Sequence, residues 1–178
     1  WKRSPEPYKL DAYTSQGEFL WRHNMGWAIE TGTWYSPYMV FDVDQDGKAE
    51  VYAKAGDGDP RELDGHVLRG SEYLIKLDGE TGEQLAKQDW ISRNGFETYN
   101  WWSRNFLTVA YLDGVNPSLI MQRGTYTVIR TEALDIDLKP IWQWAALGEH
   151  EKYQGQGAHS LMTGDIDEDG KDELVIGT

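Results

Sequence analysis

The sequence predicts an all-β protein built from repeated hairpins, arranged as part of a β-propeller. Three observations lead there. Two kinds of short apolar hairpin alternate along the chain, one closing on an acidic turn or its remnant and the other ending in a large apolar residue. The pair recurs roughly every 55 to 70 residues, the signature of a repeat architecture. No stretch of useful length carries a helical period. Four short strands per unit is the arrangement of a propeller blade, whereas a sandwich of plain meanders would not alternate two hairpin types.

In chain order, Lys9-Leu-Asp-Ala-Tyr13 and Gly17-Glu-Phe-Leu-Trp21 form the first hairpin of the second type. Tyr38–Tyr52 follows as the first acidic hairpin, with apolar runs on both sides of Asp42–Gly47. Leu74-Ile-Lys-Leu-Asp78 with Gly82-Glu-Gln-Leu85 repeats the second type. Phe106–Ile120 is the next acidic hairpin, reduced to Asp113-Gly114 followed by Val115-Asn116-Pro117-Ser118. Glu132-Ala-Leu-Asp135 with Pro140-Ile-Trp142 is a looser second type, and Leu161–Val175 closes the series with a full acidic turn. This amounts to about three blade equivalents, opening and stopping inside a blade. Propellers need roughly four to eight blades to close, and an open arc leaves strand edges unpaired. Residues 1–178 are therefore expected to be a propeller segment, a partial domain whose partner is the remainder of a longer chain.

Composition narrows the function. The 178 residues carry 17 Lys+Arg against 30 Asp+Glu, a formal net charge of −13. A phosphate backbone would be repelled, which argues against nucleic acid as a partner. No run approaches eighteen apolar residues, so no membrane span is expected. Nine tryptophans and 39% hydrophobic residues allow a substantial core. The absence of cysteine removes disulfides, thiolate metal sites and a cysteine nucleophile. No nucleophile elbow, phosphate loop or dinucleotide fingerprint occurs.

The strongest chemical signal is Asp42-x-Asp44-x-Asp46-Gly47-Lys48-x-Glu50, repeated as Asp165-x-Asp167-x-Asp169-Gly170-Lys171-x-Glu173. Carboxylates stand at relative positions 1, 3, 5 and 9, with glycine at 6 for the sharp turn. Such hard oxygen ligands suit Ca²⁺, and the backbone carbonyl at position 7, Lys48 or Lys171, would complete the wrap. Without a cation the carboxylates repel one another; the plain alternative is a solvated acidic turn. An EF-hand needs Glu at position 12 and flanking helices. Here position 12 is Ala53 or Ile176, and the flanks read as strands. These are strand–loop–strand calcium sites with a structural role, and the reduced Asp113 turn is expected to hold no ion.

Of the four histidines, His159 lies six residues before Asp165; it is open to a place near that calcium, in a cleft, or in plain structure. The cluster Tyr99-Asn-Trp101-Trp102-Ser-Arg104 suits either stacking on sugar rings or packing between blades. Lys54, Arg104 and Arg123 stand near strand ends, where local cations in an acidic chain suit an acidic substrate, or are ordinary surface residues.

Several of these segments together resemble the rhamnogalacturonan lyases of polysaccharide lyase family eleven. They are Met39–Lys54 with Asp57-Gly58, Gly70-Ser-Glu-Tyr-Leu74 with Gly79-Glu-Thr-Gly82, Phe106–Gly114, Pro117–Met121 with Arg123-Gly124, and Tyr153-x-Gly155-Gln-Gly-x-His159 running into Asp165–Glu173. The resemblance implies an eight-bladed, calcium-containing propeller, secreted or periplasmic, that cleaves the rhamnogalacturonan backbone of pectin by β-elimination at galacturonate. It implies an acidic polysaccharide as partner and His159 as a calcium ligand; Trp101, Lys54, Arg104 and Arg123 remain candidate substrate-side residues on the reading of their own positions. It also puts the proton-abstracting residues in later blades. The chain departs from the family pattern at Trp34, in place of a histidine, and around Tyr99–Asn105. The alternative function is a non-catalytic, calcium-stabilised propeller that binds an acidic glycan or a protein.

Overall fold

A computed structural model describes residues 2–157 and 159–177. The chain is all-β. Among the described residues there are twelve strands, one four-residue α-helix and one 3-10 turn, and no helix is long and apolar enough to cross a membrane. In order, the elements are β1 (Tyr8–Tyr13), β2 (Phe19–Gly26), β3 (Tyr38–Phe41), β4 (Glu50–Ala55), β5 (Tyr73–Leu77) and β6 (Gln84–Asp89). After these come α1 (Tyr99–Trp102), β7 (Asn105–Ala110), β8 (Ser118–Arg123), β9 (Arg130–Leu134) and β10 (Pro140–Ala145). The 3-10 turn Gly148–Tyr153 then leads to β11 (Leu161–Gly164) and β12 (Glu173–Ile176).

Every pairing is antiparallel and joins neighbours in sequence: β1-β2, β3-β4-β5-β6, β7-β8-β9-β10 and β11-β12. The six hairpins stand where the alternating pattern puts them, and each of the first two acidic hairpins joins the following hairpin of the second type through β4-β5 or β8-β9. The second strands of the two large sheets are buried along their whole length. Edge strands behave differently. β6 and β10 are largely exposed, and both are broken by a register shift against their neighbours. Pro140 opens β10, an edge position where the missing N–H costs no ladder bond.

Contacts divide the chain into two compact units, one reaching to Asp42 and including Asp46–Trp90, the other holding Val43–Gln45 and the residues from Ile91 on. In the first unit the core gathers Trp21, Met25, Ile29, Val51, Ala53, Ala55, Ile75 and Leu77. Trp21 explains why the second hairpin type ends in a large apolar residue. Its indole Nε1 donates to the Gly79 carbonyl at 2.9 Å, and its ring lies over Gly82 in the β5–β6 turn. Asp78 shapes that turn by accepting the N–H groups of Glu80 and Thr81. In the second unit Ala110, Ile120, Ala133 and Leu161 form a buried cluster backed by Phe106, Leu112, Leu174 and Ile176.

Gly82 has φ +73°, and a Cβ there would stand 2.5 Å from the Trp21 ring. Gly82→Ala therefore combines backbone strain with overpacking and is expected to cost about 2–3 kcal/mol. The check is a lower denaturant midpoint at unchanged slope; a midpoint equal to the parent's would contradict it.

Candidate functional site

Both full acidic turns fold in the same way. Asp42 accepts the backbone N–H of Asp46 at 3.1 Å and of Gly47 at 2.9 Å, and Asp46 accepts that of Lys48 at 2.8 Å. In the second copy Asp165 accepts Asp169 and Gly170 at 3.1 and 2.9 Å, and Asp169 accepts Lys171 at 2.9 Å. The left-handed positions recur too: Gln45 and Glu168 at φ 61° and 64°, Gly47 and Gly170 at 92° and 89°. The spacing thus encodes a hairpin turn in which one aspartate ties down two consecutive amides.

What each turn gathers differs. Asp42, Asp44 and Asp46 bring one carboxylate oxygen each within 4.8 Å of one another, as do Asp165, Asp167 and Glu173. Glu50 turns inward, buried beside β5, with the Tyr52 hydroxyl at 3.1 Å and Lys76 Nζ at 3.6 Å. Its counterpart Glu173 accepts the Ile166 N–H at 2.9 Å and stays with the turn. Lys48 sends its ammonium to Glu80 at 2.7 Å. Each group offers three hard, charged oxygens and no nitrogen or sulfur, a donor set that fits Ca²⁺.

The reduced turn closes on amide groups. Asp113 accepts the backbone N–H groups of Val115 and Asn116 at 2.8 and 2.7 Å and the Asn116 side-chain amide at 2.8 Å. The Asn116 amides, backbone first, hold the Asp113 carboxyl down to about 2. This turn abuts the second acidic one. Asp172 accepts the Tyr111 N–H at 2.8 Å and returns its own to the Tyr111 carbonyl at 3.0 Å. A Cβ on Gly114 would meet the Gly170 carbonyl at 2.3 Å. The sequence gives no signal for the part played by Asp172, which stands between two motif positions.

The substrate-side candidates lie at the other end of their strands. Arg104 and Arg123 flank the Asn105↔Arg123 pairing, a whole six-residue strand from the Asp113 turn, about 20 Å in extended chain. Lys54 is buried and pairs with buried Glu72 at 2.8 Å. Arg104 is buried too, donating to Ser103 at 3.0 Å and Asn100 at 2.8 Å. Arg123 is fully buried, with its guanidinium 5.9 Å from the centre of the Trp102 ring, which Arg93 approaches to 5.0 Å. Trp101 sits in α1 and accepts the Thr125 N–H through its carbonyl at 3.2 Å. His159 is not brought to the turn it precedes. It lies before β11 while Asp165 follows it, so four residues of strand, about 13 Å, intervene. Its Nε2 instead stands 2.9 Å from the Tyr126 hydroxyl, a residue with no motif to flag it.

A family model described as rhamnogalacturonan lyase family 11, C-terminal domain, matches residues 6–178. The chain is 40% identical to rhamnogalacturonan exolyase YesX of Bacillus subtilis (strain 168), covering 94% of this chain and 31% of that protein. It is 37% identical to rhamnogalacturonan endolyase YesW of the same organism, covering 95% and 31%. Among solved structures, the exotype rhamnogalacturonan lyase YesX matches with TM-score 0.89 at 40% identity, over 95% of this chain and 32% of that one. Bacillus licheniformis rhamnogalacturonan lyase PL11 matches with TM-score 0.89 at 35% identity, over 99% and 35%. The chain spans about a third of the length of these relatives.

Two outcomes are expected from this geometry. Removing one partner of the buried Lys54–Glu72 pair, as Lys54→Ala, strands a buried charge and costs about 3–5 kcal/mol; the double change Lys54→Met with Glu72→Leu recovers most of it. Equal stabilities in chemical denaturation for the single and double variants would refute this. Asp113 is depressed from its ordinary 3.8 to about 2. Its contribution to stability is therefore complete above about pH 4–5 and is lost as pH falls from 3.8 toward 2. Carboxyl-carbon NMR should show that midpoint rising in Asn116→Ala; a parent midpoint near 3.8 would disprove the closure.

Proposed function

Since the chain belongs to rhamnogalacturonan lyase family 11, we propose that it is a calcium-stabilised part of a pectin-degrading polysaccharide lyase, acting on rhamnogalacturonan by β-elimination. The family match over residues 6–178 carries this reading. Each four-stranded sheet is read as one propeller blade, and β1-β2 and β11-β12 as halves of two more. Supporting this are the apolar side chains exposed on the edge strand β10, Ile141 and Trp142, and on the two-stranded sheet, Met162 and Val175. They are surfaces that further sheets would cover.

The ion has a structural part here. Asp42, Asp44 and Asp46 hold one, and Asp165, Asp167 and Glu173 the other, with the Lys48 and Lys171 carbonyls available to complete each shell. Bound calcium supplies the charge that lets three carboxylates share a turn. For the reaction itself, the C5 proton of a galacturonate becomes removable when its carboxylate is neutralised. A base takes that proton and the C4 oxygen leaves. The cations of this chain serve the first requirement as a local positive field at the ends of β7 and β8 opposite the acidic turns. The substrate is a polymer, which argues for an extracellular or periplasmic enzyme.

With full-length protein, calcium in place of chelator should raise the melting temperature. An ion at about 100 times its dissociation constant contributes about 2.7 kcal/mol, which is about 5–10 °C for a domain of 150–250 residues and less for a longer cooperative unit. Asp44→Ala or Asp167→Ala should each remove part of that rise. Rhamnogalacturonan should yield unsaturated uronate ends that absorb in the ultraviolet. An unchanged melting temperature would defeat the metal assignment; reducing ends without unsaturation would make the enzyme a hydrolase, and retention without product a binding module.

A further inference from the structure

The hairpin β11-β12 repeats the first half of the β3–β6 sheet. β4 pairs on both sides, with β3 and with β5, and there Val51 stands across from Leu77 and Ala53 across from Ile75. Among the described residues β12 pairs with β11 alone. Aligned on the acidic motif, Glu173, Leu174 and Ile176 correspond to Glu50, Val51 and Ala53, but no described strand takes the place of β5.

The first unit shows what such a strand does. Trp21 and Met25 of β2 share a core with Val51, Ala53 and Ala55 of β4 and with Ile75 and Leu77 of β5. The turn leaving β5 then offers the Gly79 carbonyl to the Trp21 indole at 2.9 Å. Under that cover Trp21 is 8% exposed. Trp142 of β10 holds the matching place in the second unit, across from Ala133 as Trp21 is across from Ala12. It is 42% exposed. A cavity of about 450 Å³ opens beside Trp142, Leu112 and Leu174, and another of about 370 Å³ beside Trp144, Ile129, Leu174 and Ile176. Leu174 lines both, so the two meet along β12. They stand where the counterparts of Ile75 and Leu77 would project.

We propose that these cavities seat a β-strand supplied by polypeptide following residue 178. It pairs with β12 as β5 pairs with β4 and sets two apolar side chains, two residues apart, against Trp142 and Trp144. A glycine turn after it gives a carbonyl to the Trp142 indole. This rests on the reading of β11-β12 as half a blade and names the residues that join one blade to the next. The occupant is a strand because an edge presents a row of backbone donors and acceptors that another backbone matches in register, and because alternate side chains of a strand face one side. The source is the same polypeptide because the chain covers only 31% of each lyase relative.

The test uses full-length enzyme carrying the substitution Trp142→p-benzoylphenylalanine, irradiated and mapped by peptide mass spectrometry. The adduct should form within one molecule, on a peptide beyond residue 178 that contains a glycine turn. An adduct joining two copies, one inside residues 1–178, one suppressed by rhamnogalacturonan oligosaccharide, or none at all would overturn the proposal. As a second measurement, Trp142→Ala should lower the denaturant midpoint, and Trp142→Phe, which keeps a ring and loses the indole N–H, should lower it less. A midpoint in Trp142→Ala equal to the parent's would also overturn it. Product from the parent enzyme separates this from the lyase reading. Unsaturated ends with a misplaced adduct leave the lyase standing and remove the strand seat; the expected adduct without unsaturated ends does the reverse.

Discussion

Negative charge has to be held against itself in the turns between the first two strands of each repeat, and much of the fold follows from how that is done. An aspartate at the first position fixes two consecutive amides in both full acidic turns. This leaves three carboxylates crowded, one oxygen of each within 4.8 Å of the others. The Asp113 turn meets the same requirement with a neutral side chain: the Asn116 amide donates to the Asp113 carboxylate. One hairpin design thus carries two kinds of turn, one crowded with carboxylates and one in which a lone aspartate is closed by amides.

The sheets are polar objects from end to end. In the second unit, the acidic and reduced turns stand at one end of β7–β8 and β11–β12, while Arg104, Arg123, Tyr126 and His159 stand at the other. Antiparallel pairing makes that separation unavoidable, since a residue before one strand and a residue after it are divided by the strand's whole length. The carboxylate-rich turns and the basic and aromatic residues therefore occupy different ends, and loops at the second end can change without disturbing the first.

How much of this was legible depended on range. The six hairpins were readable because alternation, Asp-Gly turns and terminal aromatics are local signals. The acidic turns were readable because a carboxylate every second residue followed by glycine dictates its own loop. What escaped was set by neighbours distant in sequence. Glu50 and Glu173 occupy the same motif position, yet Tyr52 and Lys76 draw one inward while the Ile166 amide keeps the other at the turn. Lys54 reads as a cation at a strand end until Glu72 is seen to bury it. His159 looks near Asp165 in sequence, and only the extended strand between them shows otherwise. Tyr126 carries no pattern, because a strained φ leaves no mark on a side chain's identity.

The closure by Asn116 also bears on how the protein ages. Exposed asparagines commonly convert to aspartate when the next backbone nitrogen attacks the side-chain amide. Here the next residue is Pro117, whose nitrogen carries no hydrogen, so that route is shut. Conversion would set a second carboxylate against Asp113 and force the hairpin apart. The turn closed by amides is thus also shielded from the slow chemistry that would add a second carboxylate to it.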